Sequence, residues 1–195
     1  MIVAFSSRSW IWLAGPLIAL LLAPVAEATE AAWARIGNGG YTILLRHTQM
    51  LGSRDPPGVD ISDCSTQANL SDNGRQQARR QGTRFAARAV NLTAIIASPY
   101  CRTLETADLA FGSYPVEESA ALNPLEASDD EAAQIDAMIA LINGFQGPGN
   151  QVLITHAGNI RALTGSDARE GEAIILAPVP EGGELPEIVG RILLN

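Results

Sequence analysis

The sequence predicts an α/β protein, a three-layer α/β/α sandwich with a mostly parallel central sheet. Three observations carry that expectation. Short apolar runs at residues 41–45, 94–97 and 151–155 read as buried strands. Longer segments with helical patterning separate them, the alternation that builds parallel sheets. Each run is also followed closely by Arg or His, and the carboxyl ends of strands are where open α/β sheets bind ligands.

In chain order, residues 1–28 read as a secretory signal peptide. Arg8 lies in a short n-region, an apolar h-region runs from Trp10 to about Ala23, and Ala26-Glu27-Ala28 forms an A-x-A cleavage site. The apolar run is short and interrupted by Gly15-Pro16, so no stable membrane anchor is expected after cleavage. Residues 29–195 then suffice for one domain. After the first strand, residues 50–69 lack periodicity, and Asp55-Pro56-Pro57-Gly58 is a strong turn. A loop of that length marks a lid or binding loop. Ser71 is a plausible N-cap for a helix reaching about Val90, with Phe85, Ala86 and Ala89 facing inward. Strand 94–97 follows, then a helix from about Arg102 to Phe111 and a short extended piece at Pro115-Val116. Ile135, Met138, Ile139, Ile142 and Phe145 recur at helical spacing and predict a core-facing helix, ended by Gly144 and Gly147-Pro148-Gly149. Strand 151–155 leads through Ala157-Gly158 into a short helix. Strands at 173–177 and 187–194, joined by a Pro/Gly-rich stretch, complete the chain.

The net charge is −8 and the chain contains no lysine, so all thirteen fixed cations are arginines. That balance argues against nucleic acid as a partner. Arg75, Arg79, Arg80, Arg84 and Arg88 recur at helical spacing and read as an exposed helix face. The only cysteines are Cys64 and Cys101. In an exported protein they suggest a disulfide, which would pin the first loop against the segment carrying Arg102; free thiols are the alternative. No His-x-x-x-His or Cys-x-x-Cys pattern occurs, so neither a metal nor a cofactor is expected, and without a Cys-x5-Arg loop Cys101 is not expected as a nucleophile.

Only two histidines occur, and both follow strand candidates: His47 after residues 41–45 and His156 after 151–155. Arg46 adjoins His47, and Arg102 lies just past strand 94–97. A guanidinium presents a planar fork of donors to phosphoryl oxygens, and a neutral imidazole can attack phosphorus. Phosphoryl transfer spreads charge over three equatorial oxygens, so preorganised cationic donors are what it needs.

The blocks LLRHT (44–48), LSDNGRQQA (70–78), SPYCRTLETA (98–107) and THAGNIR (155–161) together resemble the histidine phosphatase (phosphoglycerate mutase-like) superfamily, in its exported bacterial branch. The resemblance implies a metal-independent phosphatase in which His47 is the phosphorylated nucleophile, while Arg46, Arg102 and His156 hold the phosphoryl oxygens. Two departures stand out. Thr48 replaces the small residue most members carry after Arg-His. Pro124 occupies the position of the Glu in the family's Leu-x-Glu element, so the general acid is open: Glu126 is the first candidate, with Asp60, Asp63, Asp129 and Asp130 behind it. The first loop also resembles the envelope branch related to lipopolysaccharide-core heptose phosphate phosphatases. The expected partner is therefore a small phosphorylated substrate, with an envelope sugar phosphate as one candidate. The expected location is the periplasm or exterior of a Gram-negative bacterium. Two other readings remain open: a phosphohistidine-protein phosphatase or phosphotransferase, and a catalytically weak phospho-ligand-binding module of the envelope.

Overall fold

Among the described residues, six strands and five α-helices follow in the order α1 (Ala23–Gly37), β1 (Thr42–Arg46), α2 (Asp72–Ala87), β2 (Leu92–Ala97), α3 (Cys101–Phe111), β3 (Val116–Glu118), α4 (Glu131–Gly144), β4 (Asn150–Thr155), α5 (Ala157–Thr164), β5 (Glu172–Leu176) and β6 (Ile188–Leu193). The structure, a computed structural model, describes residues 23–177 and 185–193. The predicted h-region, most of the 178–186 connection and the last two residues lie outside the described residues.

The strands form one sheet in the order β3-β2-β4-β1-β5-β6. β3, β2, β4 and β1 run parallel, and β5 and β6 add antiparallel at one side. The sheet is thus mixed, with its parallel part holding the three strands singled out above as neighbours, so their carboxyl ends open on one side.

Strand periodicity divides the core in two. Ile43 and Leu45 of β1, with Val152 and Ile154 of β4, face a cluster with Trp33 of α1, Phe85 of α2 and Phe111 of α3. Leu44 and Leu153 point the other way, onto Met138 and Ile142 of α4 and Ile160 and Leu163 of α5. Helices therefore cover both faces, which makes the three layers. Phe85 is wedged edge-on between Trp33 and Phe111, with ring centroids 5.0 and 5.3 Å away. Truncating it to Ala would cost about 3–5 kcal/mol.

Several expectations need correction at the element ends. α2 starts as predicted, with the Ser71 hydroxyl accepting from the Gly74 N–H, but it stops at Ala87. Ala86, in its last turn, is exposed rather than inward, and Ala89 is exposed at φ 48°, past the helix end. On α4 only Met138 and Ile142 are buried; Ile135 and Ile139 are half-buried at the margin, and Phe145 is its C-cap. α1 was not anticipated. It contributes Ala32, Trp33 and Ile36 to the core, and the proposed cleavage point after Ala28 falls within it. Among the described residues no helix is long and apolar enough to cross a membrane.

Candidate active site

The carboxyl ends of β1, β2 and β4 open into a cleft of about 380 Å³. Arg46, His47, Arg102, His156 and Glu126 all line it, so the five residues singled out from sequence are brought together. The first loop supplies the opposite wall through Met50, Ser53, Arg54, Asp55, Pro56 and Val59.

His47 follows the last residue of β1 and is held by its backbone N–H donating to the Thr155 carbonyl at 3.0 Å. Its Nδ1 lies 2.9 Å from the Thr48 carbonyl oxygen. A carbonyl only accepts, so Nδ1 carries the proton and Nε2 keeps its lone pair. Burial pushes the His47 pKa down to about 3; the Arg102 and Arg46 charges push the same way, against the Thr48 carbonyl. The ring is therefore neutral at physiological pH, the state a nucleophilic imidazole requires.

His156 is the N-cap residue of α5 and sits with its ring centroid 5.4 Å from that of His47. Its Nδ1 lies 3.2 Å from Arg102 Nη2, and Nε2 lies 3.2 Å from the Ser98 hydroxyl. A guanidinium only donates, so Nδ1 accepts and Nε2–H donates to Ser98, whose Oγ in turn donates to Asn123 Oδ1 at 2.9 Å. Burial pushes its pKa well below the usual range, helped by His47, Arg102 and Arg46.

The two arginines share an unusual feature. Arg46 donates from Nη1 to the Ala168 carbonyl at 2.8 Å and has Glu170 at 3.9 Å. Arg102, almost fully buried, donates from Nη1 to Asp55 at 2.8 Å and lies over the Tyr100 ring at 4.7 Å. In both, the Nε is buried and has no hydrogen-bond partner among the described residues. Buried donors are rarely left unpaired. Two of them at one cleft, with Ala157 starting a helix beside them, form a cationic site suited to an anion's oxygens.

Thr48 fits without strain. It is fully buried, its φ is not positive, and its hydroxyl pairs with that of Thr106 at 3.2 Å. Its side chain therefore braces α3 rather than entering the cleft, and its carbonyl fixes the His47 tautomer.

Among the carboxylates, Glu126 sits in a 3-10 turn at the cleft mouth. Its Oε2 lies 2.8 Å from where a Cβ at position 158 would stand, so Gly158 is what lets the carboxylate rest against the first turn of α5. The other candidates are engaged elsewhere. Asp60 accepts from Ser62, Asp63 caps a 3-10 turn through Ser65, and Asp130 caps α4 through Ala133. None of these, nor Asp129, lines the cleft.

Sequence reasoning missed Asp55 and Ser98. Asp55 carries only a turn signal in sequence, and its pairing with Arg102 spans 47 positions with no local signal. Ser98 stands next to Pro99 just after β2, and that strand-end position is the one sequence signal for its hydroxyl at the site. Cys64 and Cys101 form a disulfide, bonding the first loop to the residue before Arg102.

Sequence comparison matches residues 42–139 to the histidine phosphatase superfamily (branch 1), about half of the chain. His156 lies beyond that segment. No curated protein matches significantly. Among solved structures, YhfR of Bacillus stearothermophilus superposes with a TM-score of 0.58 at 17% identity, covering 77% of this chain and 95% of that one. The protein histidine phosphatase SixA, complexed with tungstate, gives 0.54 at 16% over 78% and 96%. A phosphoserine phosphatase mutant of Entamoeba histolytica, in complex with phosphoserine, gives 0.55 at 15% over 77% and 95%. At these identities the likeness is one of fold.

Proposed function

The chain belongs to the histidine phosphatase superfamily, and on that premise we propose that it is an exported, metal-independent phosphatase that hydrolyses a small phosphomonoester through a phosphohistidine. The observation that carries the reading is the state of the site. His47 is buried and neutral with its proton committed to the Thr48 carbonyl, and two buried arginine Nε groups nearby have no hydrogen-bond partner among the described residues.

In the proposed reaction, His47 Nε2 attacks phosphorus as the ester P–O bond breaks. Arg46 and Arg102 take the charge on the equatorial oxygens, and His156 keeps the Arg102 guanidinium in place while lying beside the phosphoryl group. The leaving oxygen takes a proton from Glu126. Water then attacks the phosphohistidine, the P–N bond breaks, orthophosphate leaves and His47 returns to its neutral form. The carboxylate accepts the water's proton in this second step.

Export is supported by the signal-peptide pattern of residues 1–28 and by the Cys64–Cys101 disulfide, which oxidising compartments favour. The periplasm of a Gram-negative bacterium fits both, and an envelope sugar phosphate is a substrate of suitable size for the cleft. One observation favours the phosphohistidine-protein reading: Glu126 is exposed, and no hydrogen bond among the described residues holds it. An imidazole leaving group depends less on an acid than an alkoxide does.

The test is turnover of a panel of phosphomonoesters and a phosphohistidine peptide by wild type and His47→Ala. Ester hydrolysis abolished in the folded variant is expected. Turnover of the peptide alone would select the second reading, and full activity in His47→Ala would reject both. Ligand binding without turnover would point to the binding module.

A further inference from the structure

Three separate ties join the first loop to two consecutive residues at the start of α3. Cys64 is bonded to Cys101. The Cys101 N–H donates to Gln67 Oε1 at 2.9 Å. Arg102 Nη1 donates to Asp55 Oδ1 at 2.8 Å, and the same oxygen accepts the Ala68 N–H at 2.8 Å. Asp55 is thus fixed at both sides, by its own loop and by the guanidinium.

A guanidinium has a planar set of five donors. Asp55 engages Nη1 on one side of Arg102. Among the described residues, Nη2 has His156 Nδ1 at 3.2 Å as its one hydrogen-bond partner, and the buried Nε has none. Nε and Nη2 share one edge of the group, the edge whose two parallel N–H bonds match two oxygens of a phosphoryl group. A freely rotating arginine could turn Nη1 inward instead and withdraw Nε from the anion.

We propose that Asp55 is a positioning residue of the phosphatase reaction: it anchors Nη1 of Arg102 so that the Nε/Nη2 edge is presented to the phosphoryl group. The first loop is then part of the anion site, acting through Arg102. This rests on the phosphatase reading above. It also separates Asp55 from the proton donor, since a residue whose work is orienting a cation affects every leaving group alike.

The experiment is a double-mutant cycle measuring kcat and KM on an alkyl phosphate and on nitrophenyl phosphate. Asp55→Ala is expected to lower kcat about 10²-fold, the scale at which misplacing a clamp by about an ångström acts. Both substrates should lose equally. Asp55→Asn keeps an acceptor for the Ala68 N–H and should lose less, which guards against loop collapse as the cause. In an Arg102→Ala background, either change should alter kcat less than about 2-fold, because the partner through which Asp55 acts is gone. Additive losses in that background would overturn the proposal, as would a loss confined to the alkyl phosphate, which would make Asp55 the acid. An inactive wild type would instead remove the phosphatase reading itself.

Discussion

His47 and His156 stand at the ends of two adjacent parallel strands, β1 and β4, each almost fully buried, His47 with Nδ1 committed to the Thr48 carbonyl and His156 with both ring nitrogens committed to Arg102 and Ser98. Asp55 and Glu126 stand on loops across the same cleft, partly or fully exposed. The strand-end half is held by the sheet itself: the His47 N–H extends the β1–β4 ladder, and its neighbours Leu45 and Ile154 are fully buried core. The loop half is held by a disulfide, one ion pair and a few hydrogen bonds. Chemistry shared by every phosphoryl transfer thus rests on rigid elements. Groups that meet the leaving group or shape the cleft mouth rest on parts that tolerate change.

If that division is right, damage to the strand-end half and its Arg102 clamp should be severe and indifferent to the leaving group. Arg102→Lys keeps the charge but loses the planar fork, and should lower kcat/KM by about 10²-fold or more on any substrate. Steady-state kinetics on two esters check this, and retained activity would break the comparison.

Asp55 acts through that clamp and shares its indifference to the leaving group, whereas damage to Glu126 should be smaller and selective. Glu126→Gln should slow alkyl phosphate hydrolysis by about 10-fold or more while changing nitrophenyl phosphate hydrolysis little, since nitrophenolate leaves without protonation. Equal losses would remove Glu126 from the role of acid.

The disulfide should matter more for stability than for rate. It closes a loop of 37 residues, and chain entropy alone assigns such a crosslink about 4 kcal/mol. The Cys64→Ser, Cys101→Ser double variant should therefore melt roughly 10 °C lower, yet keep activity within about 10-fold at temperatures where it stays folded. Thermal melts alongside assays decide this.

The smallest expected effect is the response to acid. With the His47 pKa pushed down to about 3, the nucleophile stays in its reactive neutral form as pH falls from 8 to 4, and is lost only near pH 3. Once the second ionisation of the substrate phosphate, near pH 6, is divided out, kcat/KM should show no limb near the ordinary histidine value of about 6.5.

The same division governs what the sequence made legible. The strand-end residues were readable because buried strands announce themselves as apolar runs, and because two rare histidines fell in equivalent places. Ser71 was readable as a cap because capping is local. Asp55 was not, since its partner is reached only through the folded loop. Sequence puts Glu126 only slightly ahead of Asp60, Asp63 and Asp130, and only the fold reveals that each of these aspartates accepts a nearby backbone N–H. The sequence does not announce α1, because its Ala-rich run, with Trp33 and Ile36 as its bulky apolar residues in the second half, carries a weak apolar pattern and contains the proposed cleavage site.

The central claim is covalent chemistry at one atom, Nε2 of His47. Brief incubation of the protein with a turned-over, radiolabelled phosphomonoester, followed by alkaline quench and peptide mapping, reads it directly. An acid-labile, alkali-stable label on the peptide bearing His47, absent in His47→Ala, is the predicted result. A label on His156, or turnover with no labelled protein in a quench fast enough to trap the intermediate, would contradict it.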